Sequence, residues 1–567
     1  MLHPRLGGEH PRREDFRHRN PLIPPKGDSC PVENIPVELL SRIFQFGTED
    51  RAHGDVQDLT TNYACNEPFR LERGNTDDHG ATDGEINTES KAEEGAGDVD
   101  LTDDIEKIGQ SSSDARLPHP FPILVSHVCQ HWRSAAVSTA SLWTSITISP
   151  VSQPQFQHVA ALLKRSKCLP IDVCVHFRSQ EDDIRSRFES TPPMEDLELL
   201  FSLLVAHVHR WRSIEVRAVT SQQMYAFLRA ASYPTVTAAP QLVSLVLSAG
   251  QPAARDDVFW PLIEAGSTLF SGSAPCLENI SLERVIVDWN QDWISYASRL
   301  TTLDLRNCSE DVGPSWDEFA TILRGAPALE HLVLKGGGPS GDPPNLYSDP
   351  DLGVVVATDP NPVQLLKLTH LSLLVQSRSI VYGLLRTLYI PALRSLSIDF
   401  FWNDYTEFLS YVTAPATIPA TLSIEEPPRS LLHNLETLDI TLLWCGTEVI
   451  EILYDELENL KSLKISMDDS WDAPSGCTFI LPLLPLTVAG NGAVDLRLPR
   501  LENLSVSDAS SDLQSQVIRQ VVQQRNDAGF PIKSLYVEGT YDMDEEDMMW
   551  FVDNLETFVF SRQHAKR

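Results

Sequence analysis

His127, Cys129 and His131 come nearest, by residue type and spacing, to a chemical centre. On one helix, His127 and His131 would share a face four residues apart, a spacing at which two imidazoles can hold a metal ion. The simpler reading makes the histidines surface or capping residues, and no metal centre is expected there. The triple glycine Gly336–Gly338 lacks the Lys-Ser/Thr that must follow a phosphate-cradling loop. Neither a G-x-S-x-G elbow nor an H-E-x-x-H pair occurs. Cys168 and Cys174 bracket a probable strand and read as free thiols, and His207 and His209 read as surface residues. Ser111-Ser112-Ser113-Asp114 has the acidic surroundings of a phosphate-accepting site, but a solvated linker is the stronger reading. No catalytic residue, cofactor or metal follows from these patterns, and the chain reads as a non-enzyme.

Charge and length narrow the classes further. The chain has 567 residues, too many for one core, so two or more structural units are expected. A formal charge of −34 disfavours nucleic acid as the main ligand. Mean hydropathy is −0.17 and no run of 18 apolar residues occurs, so no membrane span is expected. Nine scattered cysteines without a CxxC pair, behind an N-terminus lacking an apolar core, fit a cytoplasmic or nuclear protein.

The elements follow from apolar spacing. Residues 1–29, rich in Pro, Arg, His and Gly, read as a disordered tail. In the 30–46 segment, Ile35 to Phe46 reads as a helix, with Pro36 at its first position and Leu39, Leu40, Ile43 and Phe44 as one stripe. Residues 47–120 carry 19 acidic against 6 basic residues and few large apolar ones, so they read as a disordered acidic insert. In 121–148, Leu124, Val128, Trp132 and Ala135 recur at helical spacing, and Leu142-Trp143 follows.

From 149 to 567 short apolar strands recur. L-x-x-L-x-[LIV] matches at Leu242, Leu300, Leu329, Leu368, Leu393, Leu435, Leu460 and Leu501, and more loosely at Leu277, Ile532 and Leu555. Trp211, Ile214 and Val216 look like an earlier, degenerate copy. A proline stands two residues before the first Leu at Pro240, Pro275, Pro327, Pro391 and Pro499, which suits a bend into a strand. Leu300, Leu303, Leu305 and Cys308 extend one copy to L-x-x-L-x-L-x-x-C, the leucine-rich-repeat signature. The fold class expected is α/β: a short all-helical segment, then an irregular solenoid with a parallel sheet. Asp304, Arg306, Glu330, His331 and Lys335 would lie on its outward side.

The two helical pieces resemble an F-box split in two. Ile35-Pro36-Val37-Glu38-Leu39-Leu40 with Ile43-Phe44 is similar to the family's opening helix, Val128-Cys129-Gln130-His131-Trp132 to its second, and Leu142-Trp143 to its closing pair. Followed by leucine-rich repeats, the order resembles the F-box and leucine-rich-repeat proteins of mushroom-forming fungi. The resemblance implies a Skp-type adaptor as partner, and through it a cullin–RING ubiquitin ligase. The repeats would take an unidentified target protein. It implies adaptor contacts among Ile35, Pro36, Leu39, Leu40, Ile43, Phe44, Val128, Cys129, Trp132, Leu142 and Trp143; some of these would instead form the motif's own core, and the pattern does not apportion them. In the family the first helix runs on through a short connection, whereas here 74 residues intervene. Closing that longer loop costs roughly 2 kcal/mol. A repeat scaffold that no longer engages a ligase is the alternative.

Overall fold

The computed structural model describes residues 35–48, 121–149, 156–177, 192–250, 268–308, 313–341, 343, 346–349, 353–356, 362–375, 378–399, 406–414, 430–441, 447–466, 479–484, 486–487, 494–509, 512–539 and 543–562. The tail at 1–29 and nearly all of the acidic insert, including Ser111–Asp114, lie outside these residues. The chain divides into two compact units, Met1–Trp143 and Thr144–Arg567.

The first unit is helical. Helix α1 spans 37–48. Pro36 precedes it: its carbonyl accepts from the amides of Leu39 and Leu40 at 3.0 and 3.1 Å, so Pro36 caps the helix rather than opening it. Helices α2 (Phe121–Ser126) and α3 (Gln130–Ser138) follow, then a 3-10 turn at Ala140–Trp143. The expected continuous face through Leu124, Val128, Trp132 and Ala135 is interrupted. Cys129 is extended (φ −153°, ψ 172°), and its Sγ accepts from the Trp132 amide at 3.4 Å, so it ends one helix and caps the next. Sulfur is a weak acceptor, so it shows poorly in a search for capping residues.

The second unit is mixed α/β around a 14-stranded parallel sheet whose strands follow in chain order. They are β1 (Ser145–Ile148), β2 (Ile171–His176), β3 (Trp211–Ala218), β4 (Ser244–Ala249), β5 (Asn279–Glu283), β6 (Thr302–Arg306) and β7 (His331–Lys335). β8 (His370–Leu374), β9 (Ser395–Asp399), β10 (Thr437–Thr441), β11 (Ser462–Ser466), β12 (Asn503–Ala509), β13 (Ser534–Gly539) and β14 (Thr557–Arg562) complete it. The sheet thus starts at Ser145, inside the span read from sequence as the end of the second helical piece.

Register explains the recurring leucines. Leu245, Ile280, Leu303, Leu332, Leu371, Leu396, Leu438, Leu463 and Leu504 are Cα partners from strand to strand, and all are buried. Two residues on, Leu247, Leu282, Leu305, Leu334, Leu373, Ile398, Ile440, Ile465 and Val506 form a second buried column. Strand residues alternate between faces, so each L-x-L places two side chains in one core and the residue between them on the other side.

The leading Leu sits at the end of a tight turn. The amides of Leu242, Leu277, Leu329 and Leu501 bond to the carbonyls three residues back, of Ala239, Ala274, Ala326 and Leu498, at 3.1–3.2 Å. Pro240, Pro275, Pro327 and Pro499 therefore occupy the second turn position, where a fixed φ is favourable. The prolines serve the turn, one step earlier than a bend into the strand. Helices in the connections are capped locally: Thr220 with Gln223, and Ser315 with Glu318, form reciprocal capping boxes.

Candidate functional site

In the first unit, α1 presents two apolar pairs at four-residue spacing, and they point different ways. Leu40 and Phe44 are each 1% exposed, whereas Leu39 and Ile43 are 53% and 52% exposed. The Phe44 ring packs on Trp132 at 5.1 Å between centroids and meets Phe121 edge-on at 6.5 Å. A Cβ on Gly47 would fall 2.5 Å from the Phe121 ring, so only glycine admits this approach. Side chains cross between the two pieces as well: Gln45 Nε2 donates to Ser141 Oγ at 2.7 Å. His131 Nε2 lies 3.1 Å from the Ile35 carbonyl, which can only accept, so the ring nitrogen carries the proton.

The eleven residues singled out from sequence therefore separate. Leu40, Phe44, Leu142 and Trp143 are core, and Trp143 Nε1 donates to the Ala136 carbonyl at 2.8 Å. Trp132 packs against that core and Cys129 is a cap. Ile35 is half-buried, while Pro36, Leu39, Ile43 and Val128 stand in solvent. Val37, Phe46 and Leu124 are also exposed, although sequence reasoning did not single them out as contacts; a count of apolar residues beyond one helical stripe would have found them. His127 lies past the end of α2 and its Nδ1 faces Arg133 Nη2 at 3.4 Å, so it does not converge with His131 on a metal site.

In the second unit, the residues between the leucine columns form the sheet's outward face. Asp304, expected in solvent, is only 9% exposed: Arg306 Nε bonds both its carboxylate oxygens at 2.9 and 3.0 Å, and Ser281 Oγ lies 3.3 Å away. His331 and His370, partners in register, stack at 4.2 Å. Asp399 is pushed up to about 6 by burial, partly offset by Lys335 and reinforced by Asp439. On β2 and β3, Cys174, His176 and Glu215 bring their ligating atoms together. Cys174 lies within its strand rather than beside it, and Cys168 is exposed before it.

The chain matches no known family model, and no curated protein matches it. Among the described residues, no helix is long and apolar enough to cross a membrane.

A third surface runs along the edge where the strands begin. From Leu393 onward, the residue after the leading Leu or Ile alternates in sign, as Arg394, Glu436, Lys461, Glu502, Lys533 and Glu556. Glu436 takes Lys461 at 2.7 Å and Arg394 at 3.5 Å, and Lys533 pairs with Glu502 at 2.8 Å. Such exposed pairs each contribute little to stability. A cavity of about 410 Å³ opens among Arg394, Glu436, Lys461 and Arg500 on this edge.

Proposed function

We propose that this chain is a substrate-recognition subunit of a Skp–cullin–F-box ubiquitin ligase, acting by binding rather than by catalysis. In this reading the helical unit is an F-box and engages a Skp-type adaptor. The parallel-sheet unit is an irregular leucine-rich-repeat solenoid and takes a target protein. The site of action is the cytoplasm or nucleus.

One observation carries the reading. α1 buries Leu40 and Phe44 yet leaves Leu39 and Ile43 in water, one turn apart on a single face. A helix that has already filled its core does not need that second pair, and exposed large apolar groups of this kind favour a protein partner. The in-register leucine columns support the repeat assignment, because units that cannot bury their own apolar face gain stability by stacking.

The test is co-purification of the full chain with a Skp adaptor, beside a Leu39→Asp/Ile43→Asp variant. Binding by the parent and its loss in a variant with an unchanged circular dichroism spectrum supports the reading. An intact parent that does not bind rejects it and favours a repeat scaffold outside any ligase.

A further inference from the structure

We propose that Cys174, His176 and Glu215 form a binding site for a zinc-type divalent cation on the outward face of the sheet. This site stands independently of the ligase reading.

Strand geometry assembles it. Cys174 and His176 are two residues apart on β2 and so share a face, and Glu215 on β3 is the register partner of Cys174. Cys174 Sγ lies 3.1 Å from His176 Nε2, which lies 3.0 Å from Glu215 Oε1. All three ligating atoms fall within 4.8 Å of one another. Tetrahedral zinc with N, O and S ligands needs donors about 3.3–3.6 Å apart, so small rotations of these side chains reach it. Three protein ligands leave a fourth position for water or a partner's group.

Charge also fits. Thiolate and carboxylate together cancel the charge of a divalent cation, and a neutral imidazole adds none. On binding, the thiol proton leaves to solvent. A neutral His176 shifts its single ring proton from Nε2 to Nδ1, which frees Nε2 for the metal and leaves the ring uncharged. A thiolate beside an imidazole selects zinc over calcium or magnesium. Facing residues in register are Thr147 on β1 and Val246 and Ser248 on β4, which carry no charge. Arg217 is the opposing group: its guanidinium bonds Glu215 Oε1 and competes with a cation for that oxygen.

The experiment is titration of the full chain with Co2+, whose thiolate charge-transfer absorption reports a sulfur ligand, followed by displacement with Zn2+. The expected result is one equivalent of Co2+ with a thiolate band that Zn2+ bleaches. Cys174→Ser abolishes the band. Near-isosteric Glu215→Gln and the conservative His176→Gln each weaken Co2+ binding by about tenfold or more while keeping the band at saturation. Arg217→Gln tightens it. A parent chain without a thiolate band overturns the proposal. So does a band that survives in Cys174→Ser, which would place the metal on another of the nine cysteines, or an affinity unchanged in both glutamine variants.

Discussion

Ser41 Oγ lies 2.7 Å from Thr139 Oγ1, a hydrogen bond between side chains 98 residues apart. The Thr139 hydroxyl already donates to the Ala135 carbonyl at 2.7 Å, so Ser41 is the donor to it. The bond joins α1 to the end of α3, on opposite sides of the acidic segment. A double-mutant cycle with Ser41→Ala and Thr139→Val is expected to give a coupling of ~0.5–1.5 kcal/mol, read from hydrogen exchange of the α3 amides. Zero coupling would mean that this hydrogen bond does not form in solution.

Phe44 is the principal apolar link between the pieces. Phe44→Ala removes the contacts with Trp132 and Phe121 and opens a cavity, at a cost of ~3–5 kcal/mol. A small helical unit does not survive that loss, so α3 amides should exchange as in an unfolded chain, while the sheet unit keeps its protection. Leu39→Ala, on the exposed side of the same helix, should change exchange little.

The leucine columns predict a uniform cost. Leu303 is fully buried between its partners Ile280 and Leu332, and Leu303→Ala should cost ~2–5 kcal/mol in urea unfolding. Replacing the outward Ser281 by Ala should cost well under ~1 kcal/mol by the same measurement, since it loses only a long bond to Asp304.

Asp399 predicts a pH dependence. Its carboxyl is raised to about 6 by burial, and its Oδ1 is buried without a hydrogen-bond partner among the described residues. The folded state therefore holds the proton more tightly than the unfolded state. Below about pH 4 both are protonated and the group is neutral in effect. Between about pH 4 and 6 the unfolded state alone ionises, and stability falls as pH rises. Asp399→Asn should then be more stable than the parent at pH 7 by on the order of 1–2 kcal/mol after solvent screening, with the difference closing below pH 4. A pH-independent difference in thermal melts would contradict the assignment.

Periodicity alone carried a large part of this architecture. L-x-x-L-x-[LIV] is a local pattern, and a parallel sheet reads it locally: two inward residues per strand and a tight turn before them. Leading leucines from Leu242 to Leu501, with looser copies at Leu277, Ile532 and Leu555, all precede strands of the sheet. β1 and β2 fall outside the leucine pattern because their inward residues, Ile146, Ile148, Val173 and Val175, are β-branched; of the two, only β2 was legible locally, as the strand beside Cys168 and Cys174.

Tertiary structure decided the rest. Leu39 and Leu40 are chemically alike and adjacent, yet one faces solvent and the other the core, because a helix turns about 100° per residue and only packing fixes its rotation. Asp304 and Asp399 look like ordinary surface acids in sequence, but neighbouring strands cover them. Cys174 and Glu215 are 41 positions apart, and no local spacing relates them; strand register alone makes them partners. Sequence sets which residues alternate and turn, since those are short-range steric matters. Which of two similar side chains is buried, and which distant groups meet, depends on contacts that exist only once the chain has folded.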